Sequence, residues 1–493
     1  KADDLTVGRR AFRRVVVACN QGIMLASALA ARFAAPRAAP MMARCMSASR
    51  DLAVRDARVA VVLGAQWGDE GKGKLSDVLA ADYDVVGRFN GGANAGHTVV
   101  ADGKKFAFHL LPCGLVYPHT VNVIGNGVVC DVDALFEELA PLDDAGIETE
   151  GRLLISDRAQ LLFGFHKVID SVLEERRNKG AIGTTLKGIG PAYSTKALRE
   201  GLRVGQLRHY DAFKRKYRAL CESAMAAYDF DYDMDEELER FDAWRERLTP
   251  MIIDGVQYVN EAYASGKRII TEGANACMLD IDYGTYPYVT SSATTAGGVC
   301  TGFGLSPDKL DCRLGVAKAY TTRVGAGPFP TELTDDRGGG ARPHGAPETD
   351  IGLHLQNVGH EYGVTTGRKR RCGWLDAVVL QYSHLVNGYT SINLTKLDVM
   401  DELEEVKIGV AYKINGERLP LGSMPSTLEE LAKVEVEYET MPGWKTSIAE
   451  CRTFSELPPE AQAYVSRVEE LVGCPIDWVG VGVGREDMAI KDE

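Results

Sequence analysis

The sequence lacks several features that would place it in a familiar class at once. Its 11 cysteines are odd in number and include no C-x-x-C pair, which argues against a disulfide framework and indicates free thiols in a reducing compartment. No uninterrupted apolar run is long enough to cross a membrane. The formal net charge is -13 at pH 7, so the chain also lacks the basic footprint of a nucleic-acid-binding protein. We therefore expect neither a membrane nor a nucleic acid as a partner.

Acidic residues are scarce in the first 50 residues, where eight Arg and one Lys stand against Asp3 and Asp4. The formal charge of this segment is +7, and since the whole chain carries -13, residues 51–493 carry -20. A leading segment rich in Ala, Arg and Ser is typical of an organelle transit peptide. The apolar stretch Gly22–Ala30 would suit a secretory signal, but its Arg-rich flanks weigh against that alternative. We expect residues 1–56 to be a leader addressed to a plastid (chloroplast), with the mitochondrion and the cytoplasm as alternatives.

Residues 57–493 are expected to form one large domain, because no low-complexity linker or internal repeat divides them. Strand-like apolar runs are followed by helical segments; VNVIGNGVVCDVDALFEELAPL, for example, predicts a strand, a turn and a helix capped by Asp131 or Asp133. The charged segment Gln206–Leu248 predicts a solvated helical excursion. The pattern predicts an α/β fold, with a mostly parallel central sheet and helical and loop insertions.

The most informative stretch runs from Arg58 to Tyr83 and predicts a strand, a glycine-rich loop and a helix. Val59–Leu63 is a short apolar run that suits a strand buried on both faces. Four glycines follow within ten residues, at positions 64, 68, 71 and 73, with lysines at 72 and 74. Glycines allow backbone N–H groups to turn toward an anion, and the lysines add positive charge, so this loop predicts a phosphate site.

The loop departs from the usual P-loop in two ways. Leu75 stands where the G-x-x-x-x-G-K pattern expects a Ser or Thr for magnesium. Asp69 and Glu70 also bring two carboxylates to a phosphate site, where like charge weakens binding unless a metal or a proton intervenes. An acid in this position indicates that the loop takes part in a reaction. The alternative is that the loop is a glycine-rich turn that caps a helix and binds no ligand.

Two further loops carry groups that suit anions. NGGANAGHTVV follows the strand predicted at Asp84–Phe89 and holds His97, although a single loop histidine is more often an ordinary polar residue. The stretch Ala181–Tyr193 is too rich in glycine and proline for regular structure, and it carries Thr185 and Lys187.

Two stretches in the C-terminal half indicate a nucleotide. VTTGRKRR, residues 364–371, sets four cations beside a Thr-Thr-Gly turn, which favours an anion site over a solvated turn or an import signal. SINLTKLD ends an apolar strand in Lys396 and Asp398, and it resembles the [NT]-K-x-D element of GTP-binding proteins. There the carboxylate accepts hydrogen bonds from the ring N–H and the exocyclic amine of guanine, while the Lys stem packs on the base. Together with the P-loop-like stretch, this element predicts GTP.

Seven motifs occur in a fixed order along the chain: QWGDEGKGK, GGANAGHT, IGTTLKGIGPAY, DIDYGTYPYVTSS, RVGAGPFPTEL, TTGRKRR and TKLD. Together they resemble the adenylosuccinate synthetase family from about Val59 to the C-terminus, in an organelle-targeted eukaryotic form. The resemblance implies a GTP-dependent ligase that joins L-aspartate to IMP through a 6-phosphoryl-IMP intermediate, giving adenylosuccinate, GDP and phosphate on the route to AMP. It also implies one Mg²⁺ per subunit and a homodimer.

The resemblance assigns the chemistry to three side chains. Asp69 would take the N1 proton of IMP and bind Mg²⁺, and Lys72 would neutralise charge during phosphoryl transfer. His97 would assist at the developing 6-phosphoryl group. The carbonyl oxygen of Gly96 would be the second protein ligand of the metal.

Three sets of binding residues follow from the same resemblance. IMP would be held by Asn94, Thr185, Arg199, Asn275, Thr290 and Arg368, with Arg199 contributed by the second subunit. The carboxylates of aspartate would be enclosed by Val364, Thr365, Thr366, Gly367, Arg368 and Arg370. GTP would be bound by Gly68, Glu70, Gly71, Lys72, Gly96, Thr98, Arg370, Lys396, Asp398, Gly480 and Gly482.

The chain departs from the bacterial pattern of this family at four places. Leu186 replaces a glycine, Asn275 replaces a glutamine, Lys369 replaces an arginine, and GVGVG at 480–484 replaces a Ser-x-Gly-Pro turn.

A regulatory GTPase or nucleotide-sensing module is the alternative function. A small GTPase places its K-x-D element roughly a hundred residues after the P-loop within one compact domain. Here Lys396 lies 322 residues after Lys74, with several anion-binding loops between them. This spacing favours the ligase.

Overall fold

The computed structural model describes residues 53–94, 96–101, 104–177, 182–333, 350–363 and 367–491. The leader predicted for residues 1–56 lies outside these ranges except for its last four residues. In chain order the strands are β1 (Val59–Gly64), β2 (Val85–Arg88), β3 (His97–Ala101), β4 (Lys104–Phe108), β5 (Val121–Ile124), β6 (Val129–Asp131), β7 (Leu153–Ser156), β8 (Gln160–Leu162), β9 (Ile252–Ile253), β10 (Ile269–Ala276), β11 (Cys312–Lys318), β12 (Thr321–Arg323), β13 (Arg371–Gly373), β14 (Leu375–Asp376), β15 (Ser391–Thr395), β16 (Glu405–Ile414), β17 (Glu417–Arg418), β18 (Glu435–Pro442), β19 (Ile476–Gly480) and β20 (Met488–Ile490).

The helices lie between and around these strands. They are α1 (Ala53–Asp56), α2 (Lys72–Ala80), α3 (Val132–Asp144), α4 (Gly164–Arg177), α5 (Ile189–Leu198), α6 (Tyr210–Tyr228), α7 (Met234–Leu248), α8 (Gly255–Ala264), α9 (Ala296–Phe303), α10 (Asp350–Val358), α11 (Ala377–Asn387), α12 (Leu428–Leu431) and α13 (Pro459–Val472). None of the helices in the described ranges has both the length and the apolar character needed to cross a bilayer.

The central sheet has ten strands within the described ranges, in the order β20-β19-β15-β11-β1-β10-β2-β5-β7-β9. Every neighbouring pair is parallel except β19 and β20 at one edge. Smaller sheets pair β3 with β4, β6 with β8 and β12 with β13, and join β14, β16, β17 and β18. The predicted α/β fold on a mostly parallel sheet is confirmed.

The first strand shows how the sheet is covered. Val59, Val61 and Leu63 belong to one hydrophobic core, whereas Ala60 and Val62 belong to another, because successive side chains of a strand point to opposite faces. Both faces of β1 are therefore buried under helices and loops, which explains why the run is apolar throughout.

The helical excursion predicted for Gln206–Leu248 is present as α6 and α7. Of the two candidate caps for α3, Asp131 is the one used, since its side chain accepts a backbone N–H of the first turn. The prediction of irregular structure for Ala181–Tyr193 is wrong in its last part, because α5 begins at Ile189. Pro191 is tolerated there because it lies in the first helical turn, where its missing N–H breaks no helical hydrogen bond.

Five adjacent central strands end at the same edge of the sheet because they run parallel. They are β1, β10, β11, β15 and β19, which end at Gly64, Ala276, Lys318, Thr395 and Gly480. In open α/β sheets the crevice outside these carboxyl ends is where ligands bind. The predicted phosphate loop, the TKLD element and the 480–484 turn all start from this edge.

Candidate active site

The loop between β1 and α2 is shaped by glycine and by its own carboxylate. Gly68 and Gly71 have φ angles of 92° and 87°, a region in which residues with a Cβ are strained. Glu70 is fully buried, and its Oε1 accepts the backbone N–H groups of Gln66 (3.1 Å) and Gly68 (2.8 Å). Its Oε2 pairs with Lys72 Nζ at 2.7 Å. Both carboxylate oxygens are thus engaged inside the loop, and the contact with GTP predicted for Glu70 stays a prediction.

Asp69 differs from Glu70 in its exposure and in its hydrogen-bond partner. Its side chain is 40% exposed, and its Oδ2 accepts a hydrogen bond from Arg370 Nε at 2.8 Å. The other side of the Arg370 guanidinium donates to the carboxylate of Glu361 at 2.9 Å. Burial acts to lower the pKa of Arg370, but Asp69 and Glu361 outweigh it and the net shift is upward. One acid thus builds the loop, and the other presents a carboxylate to the crevice.

The predicted guanine-reading element lies directly against the phosphate loop. Thr395 Oγ1 donates to the carbonyl oxygen of Glu70 at 2.7 Å, although the two residues are 325 positions apart. Among the described residues, Oδ1 of Asp398 is buried and has no hydrogen-bond partner, and burial raises the pKa of this carboxyl group. A buried acceptor without a partner is costly unless a ligand satisfies it.

The glycine turn at 480–484 meets the same element. A side chain added at Gly480 would lie 3.0 Å from Thr395 Cα and 3.1 Å from Lys396 N. The carbonyl oxygen of Gly482 accepts a hydrogen bond from Lys74 Nζ at 3.2 Å. The phosphate loop, the TKLD element and this turn, which are far apart in sequence and were all predicted to bind GTP, therefore converge.

A cavity of about 550 Å³ lies next to the phosphate loop, since Leu279 in its wall stands 3.5 Å from where a Gly68 Cβ would be. Four of the six residues predicted for IMP line this cavity: Asn94, Thr185, Asn275 and Thr290. The other two, Arg199 and Arg368, are exposed and are not among its lining residues. The volume is typical of a site for one small ligand.

The wall of the cavity also holds arginines that the sequence analysis missed. Arg323 is fully buried; its guanidinium donates to Thr285 Oγ1 at 2.9 Å and to the carbonyl oxygen of Tyr288 at 2.9 Å. Arg177 lies at the end of α4. Arg323 begins the motif RVGAGPFPTEL, so a cation inside a glycine-dense motif was the available signal; Arg177 had none.

Some predicted residues lie outside the described part of the chain. These are Val364, Thr365 and Thr366, together with the side chains of His97 and Thr98 on β3. Beside the gap, Gly367 has a φ of 62° and its N–H donates to the carbonyl oxygen of Gly363 at 2.7 Å. Gly96 is exposed at the start of β3.

The donor set suits magnesium better than a transition metal. Within the described residues no group of three or more His, Cys, Asp or Glu side chains could hold a metal ion. Magnesium differs from zinc in needing only one or two protein oxygens, because substrate phosphates and water supply the rest. The exposed carboxylate of Asp69 and the exposed main chain of Gly96 fit that requirement.

This arrangement defines a class of protein: an α/β protein with a glycine- and lysine-containing loop of the kind that holds phosphates, and with an adjoining cavity of small-ligand size, at the carboxyl edge of a parallel sheet. The particular family follows from comparison with known proteins. A family model described as adenylosuccinate synthetase matches residues 61–489, and the chain belongs to that family.

Three individual proteins illustrate the similarity. An adenylosuccinate synthetase of Coprinopsis cinerea is 53% identical over 438 residues, which cover 88% of this chain and 99% of the relative. One of Ostreococcus tauri, named as chloroplastic, is 52% identical and covers 88% of each chain. The solved structure of fully ligated adenylosuccinate synthetase from Plasmodium falciparum is 45% identical with a TM-score of 0.83, covering 88% of this chain and all of the other.

The family result confirms the resemblance predicted from the seven motifs, and with it the enzyme class. The chain is a GTP-dependent ligase of purine biosynthesis, and the reaction of its family joins IMP and L-aspartate. The regulatory GTPase is set aside.

Proposed function

We propose that this chain binds GTP where the phosphate loop, the TKLD element and the 480–484 turn converge. Gly68, Gly71 and Lys72 would surround the phosphates, with the main chain of Glu70 beside them. The guanine would lie between Lys396 and the glycines at 480 and 482. The unpaired Oδ1 of Asp398 carries this assignment, because guanine offers a ring N–H and an adjacent amine that one carboxylate can accept together, a pair of donors that adenine lacks.

IMP would occupy the adjoining cavity. Its wall offers amides at Asn94 and Asn275, hydroxyls at Thr185 and Thr290, and the positive charge of Arg323. These groups suit a ligand that combines a phosphate, a ribose and a polar base. Arg368 would reach the ligand from the rim.

Asp69 would act as the base. It would take the proton from N1 of IMP so that O6 attacks the γ-phosphorus of GTP, which releases GDP and leaves a 6-phosphoryl group. The amine of L-aspartate would then displace that phosphate and form the new C–N bond. Lys72 and His97 would stabilise the charge that develops on the transferred group.

L-Aspartate would be bound by the segment at 364–370. Arg370 and Arg368 offer guanidinium groups that can hold carboxylates in a bidentate manner, and Val364, Thr365, Thr366 and Gly367 would close over them. Since Arg370 already lies 2.8 Å from Asp69, an aspartate held by Arg370 would stand close to the reacting centre.

One Mg²⁺ per subunit would be held by the carboxylate of Asp69 and the carbonyl oxygen of Gly96. Bound there, the ion would supply charge neutralisation to the phosphate oxygens.

The active unit would be a symmetric homodimer. Arg199 follows α5, has a φ of 67° and is exposed, while its neighbours Leu198 and Glu200 line the cavity. An exposed cation at the cavity mouth is suited to reach the IMP phosphate of a second subunit.

The location would be a plastid. This rests on the composition of residues 1–56 and on the chloroplastic name of the Ostreococcus tauri relative. Fluorescent fusions of residues 1–56 should enter plastids; fusions that stay cytosolic would contradict the proposal.

The proposed reaction can be tested directly on the purified chain. The formation of adenylosuccinate is followed by absorbance with GTP, IMP, L-aspartate and Mg²⁺ present, and each is then omitted in turn. We expect product only in the complete mixture. GTP hydrolysis at full rate without IMP and aspartate would favour a GTPase instead.

A further inference from the structure

A fully buried lysine, Lys318, ends the central strand β11 beside the site. Its Nζ lies 2.8 Å from both carboxylate oxygens of Glu361 and 2.8 Å from Thr322 Oγ1. All three protons of the ammonium group are thus used. Tyr320, two residues further on, donates its hydroxyl to the same carboxylate at 2.5 Å. These contacts fix Glu361 to the central sheet.

Glu361 also holds two residues of the proposed active site. Its Oε1 accepts from Lys396 Nζ at 2.9 Å, and its Oε2 accepts from Arg370 at 2.9 Å. Its main chain contributes as well, because its carbonyl oxygen accepts the N–H of Arg370 at 2.9 Å. The ammonium of Lys396 has a further acceptor in the carbonyl oxygen of Gly359.

The charges around Glu361 explain why it remains ionised. One buried carboxylate faces three cations, Lys318, Arg370 and Lys396. Burial alone would raise the pKa of Glu361, but the lysines outweigh it and lower the pKa to about 2. Without this carboxylate, Asp69 would be the only acid among the described residues that pairs with one of these three cations, and the cations would repel one another.

We propose that Glu361 is a positioning residue that ties the guanine-reading Lys396 and the Arg370–Asp69 pair to one fixed point on the sheet. The inference rests on the proposed GTP and aspartate sites. It adds that residues from both sites hydrogen-bond to a single carboxylate. Glu361 itself is not among the residues assigned above to GTP or to aspartate.

The test uses Glu361→Gln, which keeps the shape of the side chain and removes its charge. Lys396 then loses the charge of its partner and keeps only neutral acceptors, the amide oxygen and the carbonyl oxygen of Gly359, so we expect the KM for GTP and the dissociation constant of GDP, measured by titration calorimetry, to rise at least tenfold. The KM for IMP should stay within about twofold, because none of the described side chains that hydrogen-bond to Glu361 is among the residues that line the cavity. A general loss of structure would not separate these two constants.

Two further variants show whether the effect passes through Lys396. Lys396→Met keeps most of the stem and removes the ammonium, so combining it with Glu361→Gln should add little to the larger single effect. Glu237→Gln is the matched control, since Glu237 is also buried and accepts from two tyrosines, Tyr217 and Tyr232. It should leave both KM values unchanged.

Several results would overturn the inference. An active Glu361→Gln enzyme with a GDP dissociation constant within threefold of the wild type contradicts it, and so do effects of Glu361→Gln and Lys396→Met that multiply fully. If Glu361→Gln does not fold, Glu361→Asp keeps the charge but shortens its reach and should weaken GDP binding in the same selective way; unchanged binding would again contradict the inference. Failure of the wild-type chain to form adenylosuccinate would instead contradict the proposed function.

Discussion

At the scale of single residues, environment separates side chains of the same chemistry. Asp69 and Glu70 are adjacent acids in one loop, yet Glu70 is enclosed by the N–H groups and lysine that shape the loop, while Asp69 is exposed to the crevice. Only Asp69 is available to take a proton from a ligand or to bind a metal. The predicted division between a structural and a catalytic acid can be tested by substitution.

Asp69→Asn should lower kcat by on the order of a hundredfold or more, because the amide keeps the shape but can neither accept the N1 proton nor bind Mg²⁺ well. The measurement is steady-state turnover at saturating GTP, IMP and aspartate. Asp82→Asn, at the other end of α2 and exposed, should turn over normally. Near-normal turnover of Asp69→Asn would mean that another group is the base.

Asp398→Asn should exchange guanine for xanthine specificity. The amide can donate a hydrogen bond to the 2-oxo group of xanthine, where the carboxylate could only accept from the guanine amine. We expect the ratio of the KM values for GTP and XTP to reverse. Asp401→Asn, whose carboxylate accepts from Trp444 and the backbone N–H of Ile448, should leave the ratio as it is; an unchanged ratio in Asp398→Asn would place guanine recognition elsewhere.

At the scale of elements, the proposed GTP site would depend on how closely β19 approaches β15. The two strands are parallel neighbours in the sheet, and a Cβ at position 480 would lie 3.0 Å from Thr395 Cα and 3.1 Å from Lys396 N, which is tighter than an ordinary van der Waals contact. Close approach of two backbones at a strand end is a common reason for glycine.

Gly480→Val should therefore push the turn away from the guanine-reading element and raise the KM for GTP several-fold, with the KM for IMP nearly unchanged. Both constants come from initial-rate measurements. Val483→Ala is a control in the same turn, because that side chain is 91% exposed. Equal rises in both KM values would indicate a general disturbance of the fold.

At the scale of the whole molecule, buried titratable groups link stability to pH. His166 is fully buried among aromatic side chains, and its Nδ1 accepts the backbone N–H of Phe163 at 3.0 Å. Burial lowers the pKa of His166 to about 3, whereas the unfolded chain has a His pKa near 6.5. Below about pH 6.5 His166 binds a proton in the unfolded state but not in the folded state, which favours unfolding. The free energy of unfolding is therefore unaffected by His166 above that pH and decreases on acidification.

On acidification from pH 7.5 to pH 5, His166 should lower the unfolding free energy of the wild type by up to about 1.4 kcal/mol per pH unit. The Asp376 carboxyl, whose pKa burial raises to about 7, acts in the opposite direction in the wild type and in the variants alike. The prediction therefore concerns the difference in the pH dependence of the melting temperature between the wild type and a variant without His166. His166→Gln should be less stable at pH 7.5 but should show a smaller fall. His119→Gln, which is exposed, should follow the wild type. A fall in His166→Gln equal to that of the wild type would exclude His166 as the source.

The shared site of the proposed dimer can be tested by subunit exchange. Asp69→Ala and Arg199→Leu should each be inactive alone. In a two-fold dimer a mixed pair has one intact and one doubly damaged site, and equal mixing makes about half the dimers mixed, so about a quarter of all sites should recover. If mass analysis shows exchange and no activity returns, Arg199 does not act across the interface.

The sequence by itself determined the family and the fold class, and it predicted the segments that we propose bind the nucleotide. This was possible because the phosphate loop and the TKLD element are local: a few consecutive residues carry both the turn geometry and the chemistry. The buried strand at Val59–Leu63 and the helices of Gln206–Leu248 could be predicted for the same reason. The error at Ile189–Tyr193 arose because a glycine-rich and proline-containing stretch was taken as irregular, although its proline suits a first helical turn.

Only the tertiary structure decided which of these groups act together. Glu361 and Lys318 carry no sequence signal, because their importance comes from contacts with residues distant in the chain. Arg323 lies in a glycine-dense motif, but only the structure shows that it lines the cavity. The sequence assigned different roles to Asp69 and Glu70 only through the family resemblance; the physical difference between the two acids, their burial and their hydrogen-bond partners, is seen in the structure alone. Parallel strand order brings the ends of β1, β11, β15 and β19 to one edge, and no local pattern specifies that order.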